Sequence, residues 1–221
     1  NLTEYQKKMF YTCLYGCYKM PRDRTGDIEK FGEADMIDDH IATWDTFRTL
    51  YPFYTITNPD FVAKTVNSYI TRLDVNGWVR DLVKVGKERP RNQGGDDIDN
   101  IIAEAYLKGI EGVDWEDAYR VLKDNADYQR DDQNTWSVVD GKKSGVDSTY
   151  RTLGYIPADL NSTWVMCCAK QLEYAYNDYC AAQVAKGLGK TEDYEKYLAR
   201  SASWQNLWNE NLEYGDFAGF I

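Results

Sequence analysis

Across 221 residues no stretch sustains the apolar–polar alternation of a half-buried strand, whereas apolar side chains recur at helical spacing in one segment after another. Met9, Phe10, Leu14 and Cys17 place a helix over 3–20. Residues 40–53 read as a second helix. A third, over 59–74, begins after Asn58-Pro59-Asp60, where proline suits the first helical turn. Residues 98–109 follow an acidic cap at Asp96 or Asp97 and stop at Gly109, and Asp114 caps 115–128. The longest segment, 164–187, ends at Gly187 and Gly189, and Thr191-Glu192-Asp193 opens a last helix to about Leu207. The predicted class is all-α, an array of helical hairpins within a single domain.

Three segments resist helix: the charged, glycine-rich 21–39, the stretch 76–97 with its Gly, Pro and basic residues, and the long polar connection 130–163. Loops of this length in a compact domain often carry function. In a toroid of helical hairpins, such loops on one rim build a site facing the central funnel.

Charge narrows the partners. A net charge of −10 argues against nucleic acid, whose phosphates would be repelled, and against anionic membrane surfaces. No run of eighteen apolar residues is present, so no membrane span is expected. The chain opens on Asn1 without an initiator Met, which reads as a mature product or a fragment. Five cysteines, Cys13, Cys17, Cys167, Cys168 and Cys180, make an odd count with no spacing for zinc. Two sequons, at Asn1 and Asn161, are compatible with glycosylation. Together these features point to a secreted or secretory-pathway protein, with one or two disulfides and at least one thiol left over.

Aromatic residues are abundant, with 18 Tyr, 7 Trp and 7 Phe. Most serve a core, but Tyr and Trp also suit sugar rings, since each has an apolar face and a polar tip. One stretch, "ATWDTFRTLYPFY" (42–54), puts Trp44, Asp45 and Arg48 at the start of a core-facing helix. Two readings stand side by side: a surface Asp–Arg pair at spacing three, or a pocket that grips a polar ring. Two acidic clusters invite a metal reading. Counting "DDIDN" from Asp97 as an EF-hand demands Gly at 102 and Glu at 108, where the chain has Ile102 and Lys108, so that reading fails. "DMIDDH" (35–40) holds the single histidine, His40, and reads as a solvated turn.

Taken in order, the segments "FYTCLYGCYKMPRD" (10–23), "ATWDTFRTLYP" (42–52), "GWVRDLVKVGKE" (77–88), "IIAEAYLKGIEGVDWEDAY" (101–119), "LGYIPAD" (153–159) and the extended 172–208 resemble glycoside hydrolase family 92, the calcium-dependent exo-acting α-mannosidases. The resemblance covers roughly 3–208 and implies a partial (α/α)6 barrel. It implies that Trp44, Asp45 and Arg48 line a mannose subsite, and that mannose-containing glycans are the ligands. Inverting hydrolysis needs a carboxylic acid and a water-activating carboxylate roughly 6.5–9.5 Å apart. Glu88 falls on the position of the family's acid, although the family's Gly-Asn-Glu-Thr has become Gly86-Lys87-Glu88-Arg89. Lys87 and Arg89 favour a charged carboxylate, whereas a general acid needs its proton held. The segment "GKERPRNQ" also reads as a solvated basic loop, with one extra residue downstream.

The resemblance places the calcium ligands and the paired-Asp base in later barrel helices, outside this chain. The remaining part of the barrel, or another chain, is then the expected partner of its apolar helix faces. The alternative is a non-catalytic extracellular component that reuses the fold, a reading favoured by the flanks of Glu88 and by Gly16, where the family commonly has His. Either way the 221-residue chain alone is expected to show no mannosidase activity. Release of mannose by the purified chain would refute this.

Overall fold

The computed structural model describes residues 2–89, 94–127, 138–139, 142–143, 146–157 and 167–221. Helices dominate: α1 (Glu4–Cys17), α2 (Thr43–Thr57), α3 (Pro59–Asn76), α4 (Ile98–Leu107), α5 (Trp115–Asp127), α6 (Val146–Leu153), α7 (Cys167–Gly187) and α8 (Thr191–Ser201). Among the described residues, four two-stranded antiparallel ribbons accompany them: β1 (Arg22–Asp23) with β2 (Ile37–Asp38), β3 (Leu82–Lys84) with β4 (Lys87–Arg89), β5 (Val138–Val139) with β6 (Lys142–Lys143), and β7 (Asn209–Tyr214) with β8 (Phe217–Phe220).

The helices form two parallel layers. In the inner layer, Asn100 near the start of α4 accepts from Asn177 of α7 (3.0 Å), and Thr55 near the end of α2 accepts from Lys108 just past α4 (2.8 Å). Helices α2, α4 and α7 therefore run side by side in one direction. Ion pairs order the outer layer: Arg120 of α5 meets Asp74 of α3 (2.7 Å), while Lys123 meets Asp193 and Lys196 meets Asp127 between α5 and α8 (2.7 and 2.6 Å). Each inner helix is followed by an antiparallel outer one, giving three α-hairpins of a helical toroid. Between the layers lies one apolar core, in which Tyr51, Val62, Tyr69, Ile102, Leu122 and Tyr197 are buried. On α7, Ala175, Ala181, Ala182 and Ala185 are buried too, letting its neighbours approach closely.

Local chemistry explains several helix ends. Asp114 Oδ1 accepts the Glu116 and Asp117 amides (3.0 and 3.1 Å), as predicted. Gly77, at φ +75°, closes α3 in the left-handed conformation that glycine adopts without strain. Helix α2 continues through Pro52 to Thr57, beyond the predicted end, because Tyr51 and Tyr54 are buried on either side of the proline. Helix α1 carries a capping box between Thr3 and Gln6, yet it buries none of its residues. Tyr5, Met9, Phe10, Tyr11 and Tyr15 are exposed along it, and its end is tied to the core where the Tyr54 hydroxyl donates to the Cys17 carbonyl (2.6 Å).

Several expectations are corrected. Helix α6 lies within the connection read as non-helical, most of which falls outside the described residues. The predicted helix to Leu207 is α8 followed by a 3₁₀ segment over Ala202–Leu207, and the chain then forms the β7–β8 hairpin that no alternation announced. All five cysteines are free thiols, so the expected disulfides are not formed. Both sequon asparagines, Asn1 and Asn161, lie outside the described residues.

The "DMIDDH" turn is buried, not solvated: Met36, Ile37, Asp38 and His40 are all inside. His40 Nε2 meets the Tyr51 hydroxyl, and its ring lies 5.7 Å from that of Tyr69. Burial, and secondarily the nearby Arg72 charge, push its pKa down to about 3. Beside it, Glu88 is buried in an ion pair with Arg72. The carboxylate accepts from Arg72 Nε (2.7 Å) and Nη2 (2.6 Å), Asn76 Nδ2 (3.0 Å) and the Arg80 amide (2.9 Å). This pair pins the β3–β4 hairpin, whose turn puts both Val85 and Gly86 at positive φ, onto α3.

Two outcomes are expected. The folded chain keeps His40 neutral, whereas the unfolded chain protonates it below about pH 6.5. His40 therefore costs stability as pH falls from 6.5 toward 3, by about 1.4 kcal/mol per pH unit. Denaturant titrations at pH 7 and pH 4.5 should show a larger loss for the wild type than for His40→Gln. Equal losses would show that His40 is not held neutral. Glu88→Gln leaves a buried guanidinium without its counter-charge and should lower stability by about 3–5 kcal/mol. An unchanged melting temperature would place Glu88 outside the buried pair.

Candidate functional site

Because α2, α4 and α7 are parallel, their N-termini meet at one rim, and Trp44, Asp45 and Arg48 lie there. Trp44 and Asp45 occupy the first turn of α2, where a carboxylate complements the helix dipole. Trp44 is half-buried, while Asp45 and Arg48 are exposed. Arg48 stacks on the Phe47 ring, 4.3 Å from its centroid, and its Nη2 pairs with Glu173 of α7. The Asp45–Arg48 pair allowed by spacing is therefore not the one formed. Arg48 reaches a carboxylate 125 positions away, and Asp45 stays open to solvent.

Gly94 and Gly95 thread between these helices. A Cβ on Gly94 would lie 3.1 Å from Trp44 Cβ and 2.2 Å from Asp97 Oδ2. On Gly95 it would lie 2.2 Å from Asn177 Oδ1 and 3.2 Å from the Glu173 backbone, so only glycine fits here. The Gly94 carbonyl accepts from Lys170 Nζ (3.0 Å), and Asn177 Oδ1 accepts the Asp96 amide (2.8 Å). Asp97 holds the N-cap position of α4, as expected, but its side chain makes no capping hydrogen bond. Asp81, carried in by the segment before β3, accepts the Asp97 and Ile98 amides on its two oxygens (2.9 and 3.0 Å).

Four carboxylates crowd this rim: Asp81, Asp96, Asp97 and Asp99 are all buried. Asp96 is neutralised by Arg80 (3.0 Å). Asp97 has an oxygen, Oδ2, with no hydrogen-bond partner, and burial together with the charges of Asp81, Glu173 and Asp96 pushes its pKa well above the usual carboxylate range. Asp99, hydrogen-bonded by Asn125 (2.8 Å), is raised by burial and by Asp96. The rim thus combines an aromatic face, an exposed carboxylate, a guanidinium and a carboxyl group that keeps its proton at neutral pH. Below it, the inner wall holds a cavity of about 380 Å³ lined by Phe47, Arg48, Glu104, Tyr176 and Tyr179 among others.

Glu88, expected from the resemblance to be the acid, is not brought to this rim surface. Its side chain is 2% exposed and faces Arg72. The sequence offered no signal for Glu173, which belongs to no short motif with Arg48, and read Asp97 only as a helix cap. Among the described residues, no group of three or more His, Cys, Asp or Glu side chains is arranged to hold a metal ion, so none is assigned to calcium. Nor is any helix among them long and apolar enough to cross a membrane.

Comparison with known proteins agrees with this architecture. The model of the glycosyl hydrolase family 92 catalytic domain matches residues 1–221. An uncharacterised secreted glycosidase of Arthroderma benhamiae is 36% identical over 166 residues, which is 70% of this chain and 20% of that protein. A family GH92 α-mannosidase of Bacteroides thetaiotaomicron, solved in complex with mannoimidazole, is 29% identical. It superimposes with a TM-score of 0.64 over 80% of this chain and 21% of its own. A family GH92 inverting mannosidase from the same bacterium shares the fold at 23% identity, with a TM-score of 0.73 over 95% of this chain and 31% of its own. The chain thus spans about a fifth to a third of the length of these relatives. With the family model matched from end to end over a half-toroid of α-hairpins, this chain belongs to glycosyl hydrolase family 92.

Proposed function

We propose that the chain supplies the mannose-gripping wall of a secreted α-mannosidase, acting on terminal α-mannosides within a longer polypeptide or beside a partner chain. The observation that carries this reading is the convergence of Trp44, Asp45 and the Arg48–Glu173 pair at the rim where three helix N-termini meet. Asp45 and Arg48 can hold vicinal hydroxyls by charge-assisted hydrogen bonds, and the Trp44 indole can cover the ring's apolar face. The bare aromatic face of α1 supports a further half-barrel or another chain as the covering partner. Calcium, where the whole enzyme uses it, is supplied with ligands from outside the described residues.

Glu88 is reassigned in this reading. Its carboxylate is taken up by four donors and turned away from the rim, so its role is to fix the β3–β4 hairpin rather than to act as general acid. Asp97 is the carboxyl group nearest Arg48 and Glu173 that retains a proton. The buried state of Glu88 also favours the second reading, a glycan-binding relative without turnover.

Calorimetric titration of methyl α-mannoside into the longer protein tests the subsite. Asp45→Asn and Arg48→Lys should each weaken binding about tenfold or more, equivalent to about 1.4 kcal/mol, with the melting temperature unchanged. Wild-type affinity in both variants would overturn the assignment. Binding without any release of mannose would select the non-catalytic reading.

A further inference from the structure

Helix α7 begins with two thiols, which the sugar subsite does not use. Cys167 and Cys168 are sequence neighbours whose Sγ atoms lie 4.0 Å apart. Cys168 is exposed; Cys167 is half-buried, packed on Tyr150, Ile156 and Tyr174. The remaining thiols offer no such pair. Cys180 is inside the main core, and Cys13 and Cys17 lie four positions apart on α1.

A disulfide within this pair is disfavoured by geometry. Adjacent Cα atoms across a trans peptide are about 3.8 Å apart, short of the roughly 4.4–6.8 Å that disulfides span. Closing the ring would also distort the first turn of α7. An electrophile that inserts one atom between the sulfurs has no such difficulty, because the bridge is longer and leaves the peptide helical. Burial and the neighbouring Cys167 raise the Cys168 pKa, which disfavours its thiolate.

We propose that Cys167 and Cys168 form a vicinal dithiol site for trivalent arsenicals, the soft electrophiles that take two sulfurs at once. An arsenoxide, R–As=O, condenses with both thiols. Two As–S bonds form, two S–H bonds break, and the oxo oxygen leaves with both protons as one water. No oxidant or reductant is consumed.

The site lies one turn from groups that hold the rim in place. Lys170 donates to the Gly94 carbonyl (3.0 Å), and Gln171 Nε2 donates to the Gly154 and Ser203 carbonyls (2.9 Å each). Occupancy therefore reports on the first turn of α7 without depending on the mannoside reading.

Phenylarsine oxide added to the native chain, followed by intact-mass and peptide analysis, provides the test. One phenylarsenic group should bind per chain, localise to the peptide holding Cys167 and Cys168, and be removed by an excess dithiol but not by a monothiol. Cys167→Ser and Cys168→Ser should each abolish the adduct, whereas the Cys13→Ser, Cys17→Ser double variant should retain it. The proposal is overturned if the adduct survives in both single variants, maps to Cys13 and Cys17, or fails to form while iodoacetamide still alkylates Cys168.

Discussion

Asp81 acts through its backbone and its side chain at once. Its carbonyl accepts the Thr43 hydroxyl at the start of α2 (2.6 Å), and its carboxylate accepts two amides at the start of α4. One residue therefore registers two of the inner helices against each other. Its neighbour extends the arrangement: the Arg80 amide donates to Glu88, its guanidinium to Asp96, and its carbonyl accepts from Arg72. A buried carboxylate is tolerable here because the amides of a helix N-terminus are oriented, charge-complementary donors that need not reorganise. The positions of Trp44 and Arg48 relative to Asp97 rest on this hub.

The same geometry accounts for the crowding of acidic groups at the rim. Three parallel helices present three positive dipole ends within one region, which offsets part of the repulsion among Asp81, Asp96, Asp97 and Asp99. The offset is incomplete. Arg80 and Arg48 compensate two anions, while burial and the remaining repulsion raise the pKa of both Asp97 and Asp99. Retaining protons is the route by which a buried carboxylate cluster stays neutral enough to fold.

Features governed by nearest neighbours in the chain were legible in the sequence. The Asp114 cap, the proline that starts α3 and the glycine after α4 depend on side chains a few positions away, and the structure forms them as read. Features governed by return of the chain were not. Arg48 has a carboxylate three residues off, yet pairs with Glu173, because Asp45 projects to solvent while α7 packs alongside. Asp96 and Asp97 stand at the cap position of α4, yet Asp81 caps it from the preceding hairpin. His40 sits among acidic residues that suggest water, but the two tyrosines that enclose it come from α2 and α3. The β7–β8 hairpin had a readable cue in Gly215-Asp216 between aromatic residues, though its strands are too short to show a period.

The connections on the two rims differ in length. On the rim away from the candidate site, α2 reaches α3 through Asn58 alone, α4 reaches α5 through 108–114, and α7 reaches α8 through 188–190. On the site rim, the chain takes 77–97 between α3 and α4, and 128–166 between α5 and α7. Tight turns fix how the hairpins stack, and any residue added there would tilt a helix in both layers. The longer excursion 77–97 folds back into the structure, carrying Asp81 to the starts of α2 and α4. The toroid thus divides its labour: one edge sets how the hairpins stack, and the other brings side chains from distant parts of the chain to a common mouth.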